Sequence, residues 1–216
     1  MNPNTPLLSQ ENFPLLFKVF QWTIGGTIDK RKLALLNFSG QKEVLEIGCS
    51  IGNVAKVFSQ FGKVNYTGLD IDPSAIRFAQ RDFRGEQRFK FICQDLNVFA
   101  TETKQKFDYI LFAGVAHHVE DAALSQMLTS ARKLLSDGGV LMVIDPVQPK
   151  PEDGRFIHWY QKLERGQYVR QFEDLKSLIL GIPDLKLDQS EECVIGATPL
   201  SVPPSCRFGI FTTSKA

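Results

Sequence analysis

The 216-residue sequence has no Cys-x-x-Cys pair; its four cysteines, Cys49, Cys93, Cys193 and Cys206, stand far apart. Neither a zinc ribbon nor a disulfide framework is expected, and no metal is predicted; a reducing, cytoplasmic setting fits instead. No apolar run approaches the ~18 residues of a membrane span. The N-terminus shows no basic stretch followed by an apolar core, so no secretory signal is read there. Basic and acidic residues nearly cancel, 25 Lys and Arg against 24 Asp and Glu, for a net charge of +1. That excludes the basic excess on which polyphosphate binding rests, and no nucleic-acid partner is expected. No repeat or low-complexity segment interrupts the chain. The dinucleotide fingerprint G-x-G-x-x-G is missing too, since the one small-residue turn after an apolar strand reads Gly48-Cys49-Ser50-Ile51-Gly52-Asn53.

What is present is a regular alternation. Val44–Ile47 reads as a strand, a turn follows, and a helix is predicted from about Asn53 to Gln60. Strand-like runs recur at Val64–Leu69, Phe89–Cys93, Phe107–Ala113 and Val140–Ile144. Between them lie a helix opening at Pro73 and an amphipathic helix from Asp121 to Leu135, which Asp137-Gly138-Gly139 is expected to end. The tail departs from this rhythm. Helices are predicted over Arg155–Leu163 and Gln171–Leu180, then two strands, Leu185–Cys193 and Arg207–Thr213, as an antiparallel pair. At the other end, helices are expected over Glu11–Asn37, broken at Gly25-Gly26, the second running from Lys30 to Leu36. They would pack on the sheet or lie over a pocket, with packing favoured.

The pattern predicts an α/β fold: a Rossmann-like, doubly wound, seven-stranded sheet, mostly parallel with a C-terminal antiparallel strand and helices on both faces. Right-handed crossovers put the C-terminal strand ends on one rim, where open α/β sheets bind ligands. The rim would gather the turn after Gly48, then Asp70, Asp95, Gly114–His118 and Asp145.

Five segments stand in order: LEIGCSIGN (45–53), GLDIDPSAI (68–76), FICQDL (91–96), FDYILFAGVAHHVED (107–121) and LLSDGGVLMVIDP (134–146). On these the chain resembles the class I S-adenosylmethionine-dependent methyltransferases, in the broad group that includes the ubiquinone- and menaquinone-biosynthesis enzymes, from about Glu43 to Ile144. The resemblance implies one methyltransferase domain over residues 1–216, with residues 1–38 as a helical cap and 146–183 as an acceptor-side insertion. It implies S-adenosylmethionine as cofactor, S-adenosylhomocysteine as product and a small-molecule acceptor; for the oligomeric state, monomer and homodimer both stay open. By the same resemblance, Glu46 orients the first turn and the cofactor's amino group. Gly48, Cys49, Ser50 and Gly52 surround its methionine part. Asp70 accepts from the ribose hydroxyls and Ile71 packs on the adenine. Asp95 accepts from the adenine amino group, with Leu96 beside it, and Gly114 lets the backbone pass close. Ser50 stands where the family has glycine, so it carries strain if that position needs a positive φ.

Other residues keep two readings each. His117 or His118 is a proton acceptor near neutral pH, or one caps a helix and the other lines the pocket. Asp145 touches the acceptor or steadies the Pro146 turn. Trp159 and Tyr160 face an apolar acceptor or pack. Arg165, Tyr168 and Arg170 hold an acceptor anion, or form a solvated turn with ion pairs to Glu173 or Asp174. Rival functions are a nicotinamide-dependent oxidoreductase, which the missing fingerprint opposes, a nucleic-acid methyltransferase, and a non-catalytic cofactor-binding protein.

Overall fold

The computed structural model describes residues 27–162, 166–196 and 204–216. The helix expected ahead of Gly25 lies outside them. Helix α1 spans Thr27–Leu33, ahead of the predicted Lys30–Leu36. The chain after it tightens into i→i+3 bonds (Leu35 N to Lys32 O, 3.1 Å; Leu36 N to Leu33 O, 2.9 Å) and turns at Asn37, φ 58°. Asparagine tolerates that left-handed conformation, which closes the helix.

The central sheet uses β1 (Glu43–Ile47), β2 (Asn65–Asp70), β3 (Phe89–Cys93), β4 (Phe107–Ala113), β5 (Leu135–Pro146), β6 (Leu185–Gly196) and β7 (Pro204–Lys215). Their order is β3-β2-β1-β4-β5-β7-β6. The first five pair in parallel, and β7 runs antiparallel to both β5 and β6. Both the seven-stranded sheet and its antiparallel C-terminal strand are as expected. The α-helices that follow are α2 (Ala55–Phe58), α3 (Pro73–Asp82), α4 (Leu96–Glu102), α5 (Asp121–Leu134), α6 (Arg155–Gln161) and α7 (Phe172–Leu180).

Period-two alternation builds the two sides of the core. In β4, Ile110 and Phe112 join Leu124, Leu128 and Leu175 on one face. Tyr109 and Leu111 join Phe58, Tyr66 and Ile76 on the other. The Tyr109 hydroxyl lies 2.9 Å from the carbonyls of Ala34 and Leu36, which ties the end of α1 to the sheet.

The boundary between α5 and β5 also differs from expectation. Asp137-Gly138-Gly139 does not end α5. The helix stops at Leu134, and Leu135 already pairs with Phe107. The glycines instead form an irregularity inside β5: Gly138 has φ 75°, and a Cβ on Gly139 would stand 3.1 Å from the Phe107 carbonyl oxygen. Glycine serves a bulge here rather than a cap. Among the described residues, no helix is long and apolar enough to cross a membrane.

Candidate active site

The parallel strands β1 to β5 end on one rim. At the first turn, the amides of Gly48 and Cys49 donate to the Leu69 carbonyl of β2 at 2.8 and 3.0 Å. Gly48 has φ 69°, and a Cβ there would meet Val115 Cγ2 at 2.5 Å, so only glycine fits. Ser50 has φ 49°, which settles the question raised by its departure from the family: serine carries the left-handed strain, ~1–2 kcal/mol. Its amide donates to Asp70 Oδ2 at 2.8 Å, while Asp72 N donates to Asp70 Oδ1 at 2.9 Å. Asp70 therefore holds the strained turn and still keeps lone pairs on both oxygens. Burial pushes its carboxyl up, against the pull of those amides.

Cys49 turns its side chain inward: it is buried, and a Cβ on Gly68 would stand 2.7 Å from its Sγ. Burial pushes the thiol well up, so only its backbone reaches the rim. Gly52 sits against Phe83, Phe91 and Ala79 of the adjoining helix and strand. Glu46 is buried and accepts from the Tyr66 hydroxyl. Burial drives its carboxyl up to about 8, opposed by that bond, while the charge of Asp70 adds to the rise and that of Lys30 lowers it. Further along the rim, Ile71 is 74% exposed beside Asp70. Asp95 is exposed and caps α4, its Oδ1 accepting from Asn97 N at 2.8 Å. Leu96 is in the core.

After β4, Gly114 has φ 74° and leads into a single turn of 3₁₀ helix, Ala116–His118. His117 is 3% exposed, and its Nδ1 lies 3.0 and 3.2 Å from the two oxygens of Asp145. Asp145, 1% exposed, also accepts from Ala116 N at 2.9 Å. Its carboxylate is bound to the His117 ring and the Ala116 amide, which corrects the reading that it steadies the Pro146 turn. His118 is exposed and packs against His117, ring centroids 3.9 Å apart and planes tilted by 43°.

Arg170 is corrected likewise. It is buried rather than solvated, and no ion pair reaches Glu173 or Asp174. Its guanidinium donates to the carbonyls of Ala116 (2.7 Å), Val119 (2.7 Å) and Tyr168 (3.1 Å) and pairs with Asp121 (2.7 Å), so no donor face is turned to an acceptor. Tyr168 is 39% exposed, and its amide donates to the His117 carbonyl at 3.0 Å. Arg165 lies outside the described residues. Trp159 is 54% exposed on α6, whereas Tyr160 is partly buried against the core.

The methyltransferase-domain family matches residues 23–179, over half of the chain. The chain belongs to that family. No curated protein matches it in sequence. Among solved structures, mitomycin 7-O-methyltransferase is 20% identical with a TM-score of 0.68, covering 89% of this chain and 54% of its own. The N-methyltransferase NodS of Bradyrhizobium japonicum, in complex with S-adenosyl-L-homocysteine, is 18% identical with a TM-score of 0.65, covering 88% and 85%. Human N-acetylserotonin methyltransferase, in complex with S-adenosylmethionine, is 18% identical with a TM-score of 0.66, covering 98% and 60%. The chain spans about half the length of the first two structures it matches, 54% and 55%. The expectation of a class I S-adenosylmethionine-dependent methyltransferase is thus met in family and fold, and the oxidoreductase alternative falls. The match does not single out the ubiquinone and menaquinone group.

Sequence reading of this methyltransferase missed Tyr66 and Gly166. Tyr66 had a signal: an acid in an apolar parallel strand needs a donor from its neighbour, and β2 supplies one. Gly166, in an irregular segment, had none.

Proposed function

We propose that this domain transfers the methyl group of S-adenosylmethionine to a small-molecule acceptor, releasing S-adenosylhomocysteine, and that His117 takes up the acceptor's proton. The observation that carries the proposal is the buried His117–Asp145 pair at the rim. A carboxylate in its ionised form only accepts, so a neutral imidazole facing it carries its proton on Nδ1 and its lone pair on Nε2. The edge bearing Nε2 lies between Cε1, which is 3.7 Å from the Cβ position of Gly114, and Cδ2, which faces Gly166. The base is thus set between the cofactor rim and the acceptor-side segment.

The rim suits the cofactor. Ile71 offers an exposed apolar surface for a flat base. Asp70 keeps acceptor capacity on both oxygens for a vicinal diol. Gly48 and Gly114 leave room where a Cβ would not fit. In this reading Glu46 orients the first turn, Ser50, Gly52 and the Cys49 backbone line it, and Asp95 and Leu96 bound the adenine. When bound, the cofactor supplies an electrophilic methyl on a sulfonium, which leaves as a neutral thioether. The domain's own part is to align the acceptor with that methyl and to accept its proton at Nε2. Of the expected cap and insertion, the described residues 27–38, 146–162 and 166–183 bound the acceptor side in this reading, where Trp159, Tyr160 and Tyr168 supply aromatic surface. In this reading His118 packs against the base.

Calorimetry with S-adenosylhomocysteine and turnover on a panel of hydroxyl and amine acceptors test this. His117→Ala and Asp145→Asn should lower turnover by roughly 10²–10⁴-fold with S-adenosylhomocysteine affinity kept. Asp70→Ala should lose that affinity. Full activity in His117→Ala would sink the base assignment, and unchanged affinity in Asp70→Ala would sink the ribose site.

A further inference from the structure

The turn that carries His117 has little to hold it from within. Its own bonds run from His118 N to the Val115 carbonyl at 3.0 Å and from Val119 N to that of Ala116 at 3.3 Å. A single 3₁₀ turn is marginal by itself, because it fixes several dihedrals for little hydrogen bonding. Its shape is therefore set from outside. Asp145 Oδ1 accepts from Ala116 N at 2.9 Å, and Tyr168 N donates to the His117 carbonyl at 3.0 Å. The remaining grip comes from Arg170.

Every nitrogen of this buried guanidinium is engaged. Nη1 donates to the carbonyls of Ala116 at 2.7 Å and Tyr168 at 3.1 Å, and Nη2 to that of Val119 at 2.7 Å. Ala116 and Val119 flank the two histidines, so one rigid plane sets both ends of the turn. Ala116 is held twice, its amide by Asp145 and its carbonyl by Arg170. That carbonyl belongs to the peptide leading into His117. The backbone of Arg170 is anchored next to Asp145 in its turn: Gln148 N donates to the Arg170 carbonyl at 2.9 Å, and Gln148 Nε2 to that of Val169 at 3.0 Å. The ring of His117 and its backbone are thus both referred to the end of β5. Nε donates to Asp121 at 2.8 Å, but the Asp121 side chain is 70% exposed, and an ion pair with so solvated a member contributes little.

We propose that Arg170 is a positioning residue for methyl transfer: by fixing the backbone on both sides of the histidines it sets the place of the His117 ring, without touching acceptor or cofactor. The inference rests on His117 being the base, as read above. It makes the acceptor-side segment part of the proton-accepting machinery, whereas the cofactor rim stands without it.

A double-mutant cycle tests this, with turnover measured on the hydroxyl and amine panel and binding by S-adenosylhomocysteine calorimetry. Arg170→Ala should lower kcat by about a hundredfold, the cost of a reacting group displaced by an ångström, with S-adenosylhomocysteine affinity kept. Because Arg170 acts through His117, the double variant should be no slower than His117→Ala alone. Losses that multiply overturn the proposal, as does unchanged turnover in Arg170→Ala. Imidazole spectra give a readout that needs no acceptor, since the chain has only 3 histidines. In proton–nitrogen correlation, the His117 signals should move in Arg170→Ala and those of His158 should stay; an unmoved His117 overturns the proposal. Asp121→Asn should keep turnover within about fivefold, the scale of an exposed ion pair, and a loss as large as that of Arg170→Ala would place the effect in the charge pair instead. Should Arg170→Ala lose S-adenosylhomocysteine binding, Arg170→Lys replaces it: one ammonium does not span the three carbonyls, and the same pattern is expected. Full activity in His117→Ala is a separate outcome, which overturns the base reading and this inference with it.

Discussion

Glu46 shows at the scale of one residue how the rim strains the fold. Its carboxyl has an ordinary value of 4.5 and is raised to about 8 by burial, so the folded chain holds a proton there that the unfolded chain has lost. Between those two values the native state binds more protons, and stability from this group falls as pH rises. Below 4.5 the effect vanishes, and above about 8 it is complete. Glu46→Gln keeps an acceptor for Tyr66 and removes the titration. Its stability should fall less than that of the unmodified protein from pH 5 to pH 8, by on the order of a few kcal/mol at most, in denaturant unfolding run across that range. Parallel pH profiles for the two proteins would show that Glu46 is ionised in the fold. Ser50 is strained by its φ of 49°, and the Asp70 carboxylate that pins its amide is the group proposed for ribose. Strain and ligand binding therefore share one side chain.

At the scale of elements, the 3₁₀ turn Ala116–His118 and the segment from Gly166 to Arg170 form one assembly. Arg170 gathers the carbonyls on either side of the histidines, and Tyr168 N takes that of His117. Gly166 closes the packing: a Cβ there would stand 2.2 Å from His117 Cδ2 and 2.6 Å from its carbonyl oxygen. Gly166→Ala must move one partner. Turnover should fall by about a hundredfold, the effect of an ångström's misplacement, while S-adenosylhomocysteine binding at the neighbouring rim persists. Normal turnover in that variant would separate the segment from the chemistry. The rim placed His117 and Asp145 together beforehand, but the pairings within this assembly were not legible. His117 and Asp145 are 28 residues apart, and Arg170 lies 54 from Ala116. A basic, aromatic turn next to Glu173 and Asp174 has the same local composition whether its arginine is solvated or buried. The strands, by contrast, were legible, because each carries its own apolar alternation between turn residues. The rim residues at their ends followed once the crossovers were taken as right-handed.

At the scale of the whole molecule, strand order is the feature that local pattern does not encode. Two strands ending the chain were expected as a pair, but their succession along the sheet is not written in either. The structure inserts β7 between β5 and β6, with Val143 opposite Phe211 and Ile144 opposite Ile210. Phe211 is fully buried in the same core as Ile110 and Phe112. Deleting residues 204–216 therefore removes an interior strand rather than an edge, and leaves β6 without its sheet partner. The truncated chain should lose its cooperative thermal transition, read by circular dichroism, where removing a true edge strand would cost only part of it. A sharp transition near that of the intact chain would show that the five parallel strands stand alone.

The insertion of β7 also sets a time at which the protein can be finished. A polypeptide is made from its N-terminus, and the parallel strands from β1 to β5 are complete long before Pro204 is added. Until then, β5 presents Val140-Leu141-Met142-Val143-Ile144 as an open, apolar strand edge, the kind that pairs with other chains. The sheet closes only after the segment up to Lys215 has left the ribosome. Between those moments the nascent chain is held from aggregation by whatever covers that edge, so slowing synthesis across residues 147–203 lengthens its exposure rather than easing its folding.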